Sequence, residues 1–188
     1  MKPRAEDPLP EDRDGFRFRG GHAALDFAAT LAARRRSEPR ELLGSPADLD
    51  RWLVSSGLTR SSAGATPADV ALARELREAI YALASGQGTR AAREALNAIA
   101  ALPAARPQLG VSGELLREGN AQELLATIAR EAVELFGSPD HERIRQCEGD
   151  GCAILFLDLS RSGGRRWCSM AGCGNRAKAR AFRRRAGG

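Results

Sequence analysis

All four cysteines of the chain fall in one stretch, as two pairs of identical spacing: Cys147-x4-Cys152, fifteen residues, then Cys168-x4-Cys173. Such a pattern suits a single tetrahedral metal site better than it suits two disulfides or four free buried thiols, which are the plain alternatives, with iron–sulfur ligation a minor one. Four thiolates leave a zinc ion no open position for substrate, so this ion holds structure together and does no catalysis. The sequence thus predicts one structural Zn²⁺ on Cys147, Cys152, Cys168 and Cys173.

The local sequence suggests how the sulfurs meet. Gly149 and Gly151 allow a tight turn between the first pair. Ile154–Leu157 reads as a short buried strand, Ser160–Gly164 as a turn, and Arg165–Cys168 as the returning strand of a hairpin. Cysteines five apart on a continuous α-helix point about 140° from one another. Cys168 is therefore expected at the end of a strand and Cys173 near the first turn of a helix, with Ser169 or a neighbour capping. The order is knuckle, β-hairpin, α-helix, a treble-clef-like finger.

Charge separates this module from the rest. Residues 143–188 hold eleven basic groups against three acidic ones, a balance of +8, which leaves −3 for residues 1–142 of a total of +5. A zinc ion on four thiolates lowers the module only to about +6. The basic candidates for an anionic polymer are Arg165, Arg166, Arg176, Lys178, Arg180, Arg183, Arg184 and Arg185, set against a solvated, frayed tail as the plain alternative. Nucleic acid is the expected partner, DNA ahead of RNA.

The preceding residues read as a helical domain. Residues 1–14, rich in Pro and charge, are expected to form a flexible tail, with an α-helical domain over 15–140 and the finger over 141–188. Phe16–Phe18 alternates like a strand before Gly20-Gly21. Helical spacing runs over Ala23–Arg35, and N-cap signals at Ser45, Thr66, Thr89 and Asn120 open four further helices. Gly110 and Gly113 mark a small hairpin within 104–118. The fold class is mainly α. No apolar run approaches the ~20 residues of a membrane span, and the first residues lack the apolar stretch of a secretory signal, so a cytoplasmic protein without membrane contact is expected. His22, Asp26 and His141 are isolated from any nucleophile signature, so the expectation is a structural role for them and no enzyme activity.

The run Cys147 to Cys152-Ala-Ile-Leu-Phe-Leu-Asp158, followed by Arg165-Arg-Trp-Cys168-Ser-Met170 and Cys173-Gly-Asn-Arg176-Ala-Lys178, resembles the CGNR zinc finger of bacterial proteins over residues 143–185. In that family an α-rich ABATE domain usually precedes the finger. Leu25-Asp-Phe-Ala-Ala-Thr30 resembles its opening signature, with Ala29 where Asn is usual, and Trp52-Leu53 and Gly57-Leu58 are similar too. The resemblance implies a stress-induced transcription regulator whose finger binds DNA. The helical domain would sense a small-molecule effector or form a homodimer. An RNA-binding zinc protein, or a small-molecule-binding or interaction domain with zinc as a structural clip, remains the alternative.

Overall fold

The computed structural model describes residues 11–186, with side chains through Arg184. Most of the tail expected over 1–14 lies outside the described residues, but its last part is structured. Strand β1 (Asp12–Arg13) pairs antiparallel with β2 (Phe16–Arg17). Between them Asp14 (φ 51°) and Gly15 (φ 82°) take the two left-handed positions of a tight hairpin turn, for which Asp-Gly is a strong signal. The hairpin buries Phe16 and ties Arg13 to the Ser55 carbonyl.

Helix α1 (Ala23–Ala28) is much shorter than the periodicity over Ala23–Arg35 suggests. The Thr30 hydroxyl donates to the Phe27 carbonyl at 2.7 Å and occupies an acceptor the next turn would need,. Leu31, whose spacing mimicked a helix face, instead begins β3 (Leu31–Ala32), which pairs with β4 (Arg40–Glu41). Ala33 at φ 56° turns the chain away.

The next four helices follow the cap signals: α2 (Pro46–Ser55), α3 (Pro67–Ala84), α4 (Arg90–Ala100) and α5 (Ala121–Gly137). Ser45, Thr66, Thr89 and Asn120 each accept a backbone N–H from three residues on, and Thr66 and Asn120 complete capping boxes with Asp69 and Glu123,. Their apolar stripes meet α1 in one core around Trp52, whose ring lies 4.8 Å from that of Phe27 in an edge contact,. The hairpin β5 (Arg106–Leu109) and β6 (Leu115–Glu118) bridges α4 and α5.

A polar network fixes the β3–β4 hairpin to α3. Buried Arg77 reaches Glu41 at 2.6 Å and Glu78 at 2.9 Å. Arg34 makes a two-bond fork to Glu78, at 2.7 and 2.9 Å, and lies over the Tyr81 ring.

The finger begins after a short 3₁₀ turn (Pro139–Arg143). Ile154–Leu157 does supply a strand, β8 (Leu155–Leu157), but its partner is β7 (Ile144–Gln146) and not Arg165–Cys168. The hairpin therefore brackets the first cysteine pair. The physical reason is burial on both faces: Phe156 packs among the cysteines, while Leu155 and Leu157 face the helices on an apolar surface that Ile144 extends. Residues 165–168 keep one ladder-like bond, from the Glu148 amide to the Arg166 carbonyl at 2.9 Å. A wide turn (Met170–Gly174) then leads into helix α6 (Asn175–Ala186).

The finger packs directly on the helices. Leu155 and Leu157 share a buried cluster with Leu25 of α1 and Leu135 of α5. The Leu157 amide also donates to the Gly20 carbonyl at 2.8 Å.

Candidate metal centre and its basic surround

All four cysteines are buried, and their sulfurs lie within 4.8 Å of one another. Cys152 Sγ is 3.9 Å from Cys168 Sγ, which is 3.8 Å from Cys173 Sγ. A tetrahedron of Zn–S bonds of about 2.3 Å has edges of about 3.8 Å. The donor set and its spacing therefore fit a zinc ion.

The wide turn explains how the second pair converges. Cys168 precedes the cap Ser169, whose backbone is extended at φ −154° and ψ 136° and whose hydroxyl accepts the Gly172 amide. The Gly174 amide reaches back to the Ser169 carbonyl at 3.0 Å. This i→i+5 closure, looser than an α-turn, swings Cys173 toward Cys168. The strand-to-helix junction expected from the spacing is present in essence, with an extended segment in place of a paired strand.

Donors surround the sulfurs and favour their negative charge. The amides of Gly149 and Cys168 point at Cys147 Sγ, at 3.4 and 3.3 Å, and Arg176 Nη2 donates to Cys173 Sγ at 3.0 Å. Without a cation the thiols oppose one another. The hydrogen bond with Cys168 draws Cys152 down to about 5, while the same bond and burial push Cys168 up. Burial beside Cys152 raises Cys173 as well. A divalent ion removes that conflict by holding all four as thiolates.

Two family models cover most of the chain. Residues 143–186 match the CGNR zinc finger. Residues 21–139 match the ABATE family, described as a "putative stress-induced transcription regulator". The chain belongs to the ABATE family. Among curated proteins, none matches the chain. Both models are of regulatory or zinc-finger type and neither describes an enzyme. The zinc of this ABATE protein is a single structural ion held by its C-terminal finger. Among the described residues, no helix is long and apolar enough to cross a membrane.

The basic residues of the ABATE protein's finger divide into two groups. Arg165 is spent internally: its guanidinium lies over the Phe156 ring at 4.4 Å and donates to the Trp167 and Cys168 carbonyls. That removes it from the solvent-facing set, because three backbone and ring partners hold it against the core. Arg166 pairs with Glu148 at 2.6 Å, and Arg180 with Asp150 at 2.8 Å, so both pin the first knuckle. Lys178, Arg183 and Arg184 are exposed on α6, and none has an ion pair among the described residues. The side chain of Arg185 lies outside the described residues.

His22 caps α1, accepting the Ala24 amide at 3.3 Å, and His141 contacts the Ser138 carbonyl at 2.9 Å. Asp26 accepts the Gly20 amide at 2.7 Å. The sequence did not reveal a cavity of about 370 Å³ where the β3–β4 hairpin faces the first knuckle, lined in part by Arg17, Arg36, Arg40 and Arg176. Ala29, where the family resemblance places Asn, also lines it. The Arg34-Arg-Arg36 run is the available signal, at the end of a stretch whose spacing suggests a helix over Ala23–Arg35, whereas the helix ends at Ala28.

Proposed function

We propose that the chain is a DNA-binding transcription regulator in which the finger, over 141–188, presents α6 to the duplex. The helical domain, over 15–140, senses or dimerises. The observation that carries this reading is the composition and exposure of α6. Asn175–Ala186 contains no acidic residue, and Lys178, Arg183 and Arg184 extend from it into solvent. Phe182, 68% exposed, sits among them and offers a stacking face beside the charges. The role of the zinc is to fix the base of that helix. Arg176 and Arg180 hold it through Cys173 and Asp150, so the cations beyond them project from a rigid root.

Phosphate neutralisation by such a helix gives affinity that falls steeply with salt. The test is fluorescence anisotropy of the zinc-loaded full-length protein on a labelled duplex across a salt series. Lys178→Gln, Arg183→Gln and Arg184→Gln should each reduce the log–log salt slope by about 0.9. No duplex binding at low salt would overturn the reading. Competition with single-stranded RNA at matched charge separates the RNA alternative, and sedimentation with and without duplex reports dimerisation.

A further inference from the structure

The cavity between the β3–β4 hairpin and the first knuckle has the make-up of a ligand site. Its lining has an apolar part, here its floor, with Ala29, Leu31 and Ile154 among others, and an arginine part, here its rim, of Arg17, Arg36, Arg40 and Arg176. Its volume of about 370 Å³ falls within the range of small-molecule pockets. The single carboxylate in the lining, Asp150, is already paired with Arg180 at 2.8 Å. Among the described residues Arg17, Arg36 and Arg40 have no ion-pair or side-chain hydrogen-bond partner. Many arginines elsewhere in the helical part do, including Arg19, Arg34, Arg51, Arg74, Arg77 and Arg117. Arg176 is engaged by the Cys173 sulfur, and the zinc ligand Cys152 also lines the hollow. Arg17, Arg36 and Arg40 are thus the three like charges there whose repulsion an anion would relieve.

The rim is also held in place. Arg36 and Arg40 belong to a hairpin whose two sides are bolted to α3, through Arg34 on Glu78 and Glu41 on Arg77. Arg176 is oriented by its bond to Cys173 Sγ. Arg176 is thus preorganised for an anion, while the exposed side chains of Arg17, Arg36 and Arg40 sit on a braced backbone and would be ordered by the anion itself,.

We propose that this cavity binds a small organic phosphate, with the phosphate on the arginine rim and the apolar portion on the alanine, leucine and isoleucine floor. A backbone phosphate of a duplex would use the rim but leave the floor empty, which is why a free small molecule is the better match. Three of the four arginines come from the helical part and one from the finger, so the ligand bridges the two and touches Arg176 at the root of α6. A ligand here does not require α6 to contact DNA.

The experiment is calorimetric titration of the zinc-loaded full-length protein at low salt with phenyl phosphate, and in parallel with inorganic phosphate and with phenol. Phenyl phosphate should bind at one site per chain and more tightly than either fragment. Arg17→Gln and Arg40→Gln should each weaken it about tenfold. Arg93→Gln, exposed on α4, should leave it unchanged. Both rim arginines lack structural partners, so their variants should melt like the parent. Absence of saturable phenyl phosphate binding up to about 1 mM overturns the proposal. Inorganic phosphate binding as tightly as phenyl phosphate overturns it too, as does an equal loss in Arg93→Gln. If Arg17→Gln and Arg40→Gln weaken duplex binding yet leave phenyl phosphate binding unchanged, the rim belongs to a polymer interface and the proposal falls.

Discussion

Arg36 of the β3–β4 hairpin lies against Gly151 of the first knuckle, so close that a Cβ on that glycine would sit 2.7 Å from Arg36 Nε. Gly151 also has a left-handed backbone, at φ +64°. The second knuckle repeats the contact at the equivalent position, where a Cβ on Gly172 would meet Arg19 Nη1 at 2.7 Å. Each cysteine pair is thus a Cys-x3-Gly-Cys whose glycine receives an arginine from the helical part.

Gly151→Ala should destabilise the protein by about 1–2 kcal/mol, because the backbone strain adds to displacement of the Arg36 stem. Gly172→Ala should cost roughly half as much or less, since the atom it meets is the tip of a flexible side chain. Urea denaturation of both variants checks the order, and a larger loss for Gly172→Ala would contradict it.

Removing the zinc should loosen more than the finger. Leu155 and Leu157 share their buried cluster with Leu25 and Leu135, so a collapsing finger uncovers a face of α1 and α5. Metal analysis should return one zinc per chain, and Cys173→Ala should retain little of it. Its far-UV melting midpoint, which reports mainly on the N-terminal helices, should fall as well. An unchanged midpoint in metal-free protein would show that the two parts melt separately.

Much of this architecture was legible beforehand. Ser45, Thr66, Thr89 and Asn120 announced their helices because capping is local chemistry. The four cysteines announced a shared ion because their spacing is shared. The short hairpins were harder to read. Leu31 sits at a helical interval from Phe27 yet belongs to a strand, since the competing pull comes from a pairing ten residues away, Leu31 with Glu41. Likewise Leu155–Leu157 could be recognised as a strand, but nothing local says whether 144–146 or 165–168 lies beside it. The arginine-lined cavity was invisible for the same reason: Arg17, Arg40 and Arg176 meet only once the chain has folded.

Arg77 should be the most sensitive charged residue in the helical part. Its side chain is 5% exposed and serves both Glu41 and Glu78. Arg77→Met removes the counter-ion they share and leaves Glu41 to Arg74 and Glu78 to Arg34. The loss should be about 2 kcal/mol, after allowing for the partial exposure of both carboxylates. Glu41→Gln should cost less, since Arg77 keeps Glu78. Thermal or urea unfolding at neutral pH measures both.

Asp26 gives the protein a distinct pH signature. Burial pushes its carboxyl up to about 7, against the opposing pull of the Gly20 amide and Arg13. The folded state therefore holds a proton that the unfolded chain releases near its ordinary value of 3.8. Its contribution is fully present below that value and is lost as pH rises to about 7, at up to about 1.4 kcal/mol per pH unit. Asp26→Asn keeps an oxygen for the Gly20 amide and cannot ionise. The variant should therefore gain stability relative to the parent as pH rises from about 4 to about 7, read by urea midpoints across that range. A parallel pH dependence in the two proteins would contradict this.

The bond from the Leu157 amide to the Gly20 carbonyl, together with the leucines around it, makes the border between the two matched segments one of sequence but not of mechanics. Opening either side exposes leucines of the other, so a gain in rigidity on one side is expected on the other. Zinc uptake, a molecule seated between hairpin and knuckle, and a polymer gripped by the last helix would then be three weights on one balance. Each would make the others easier to hold by the factor it gains from them.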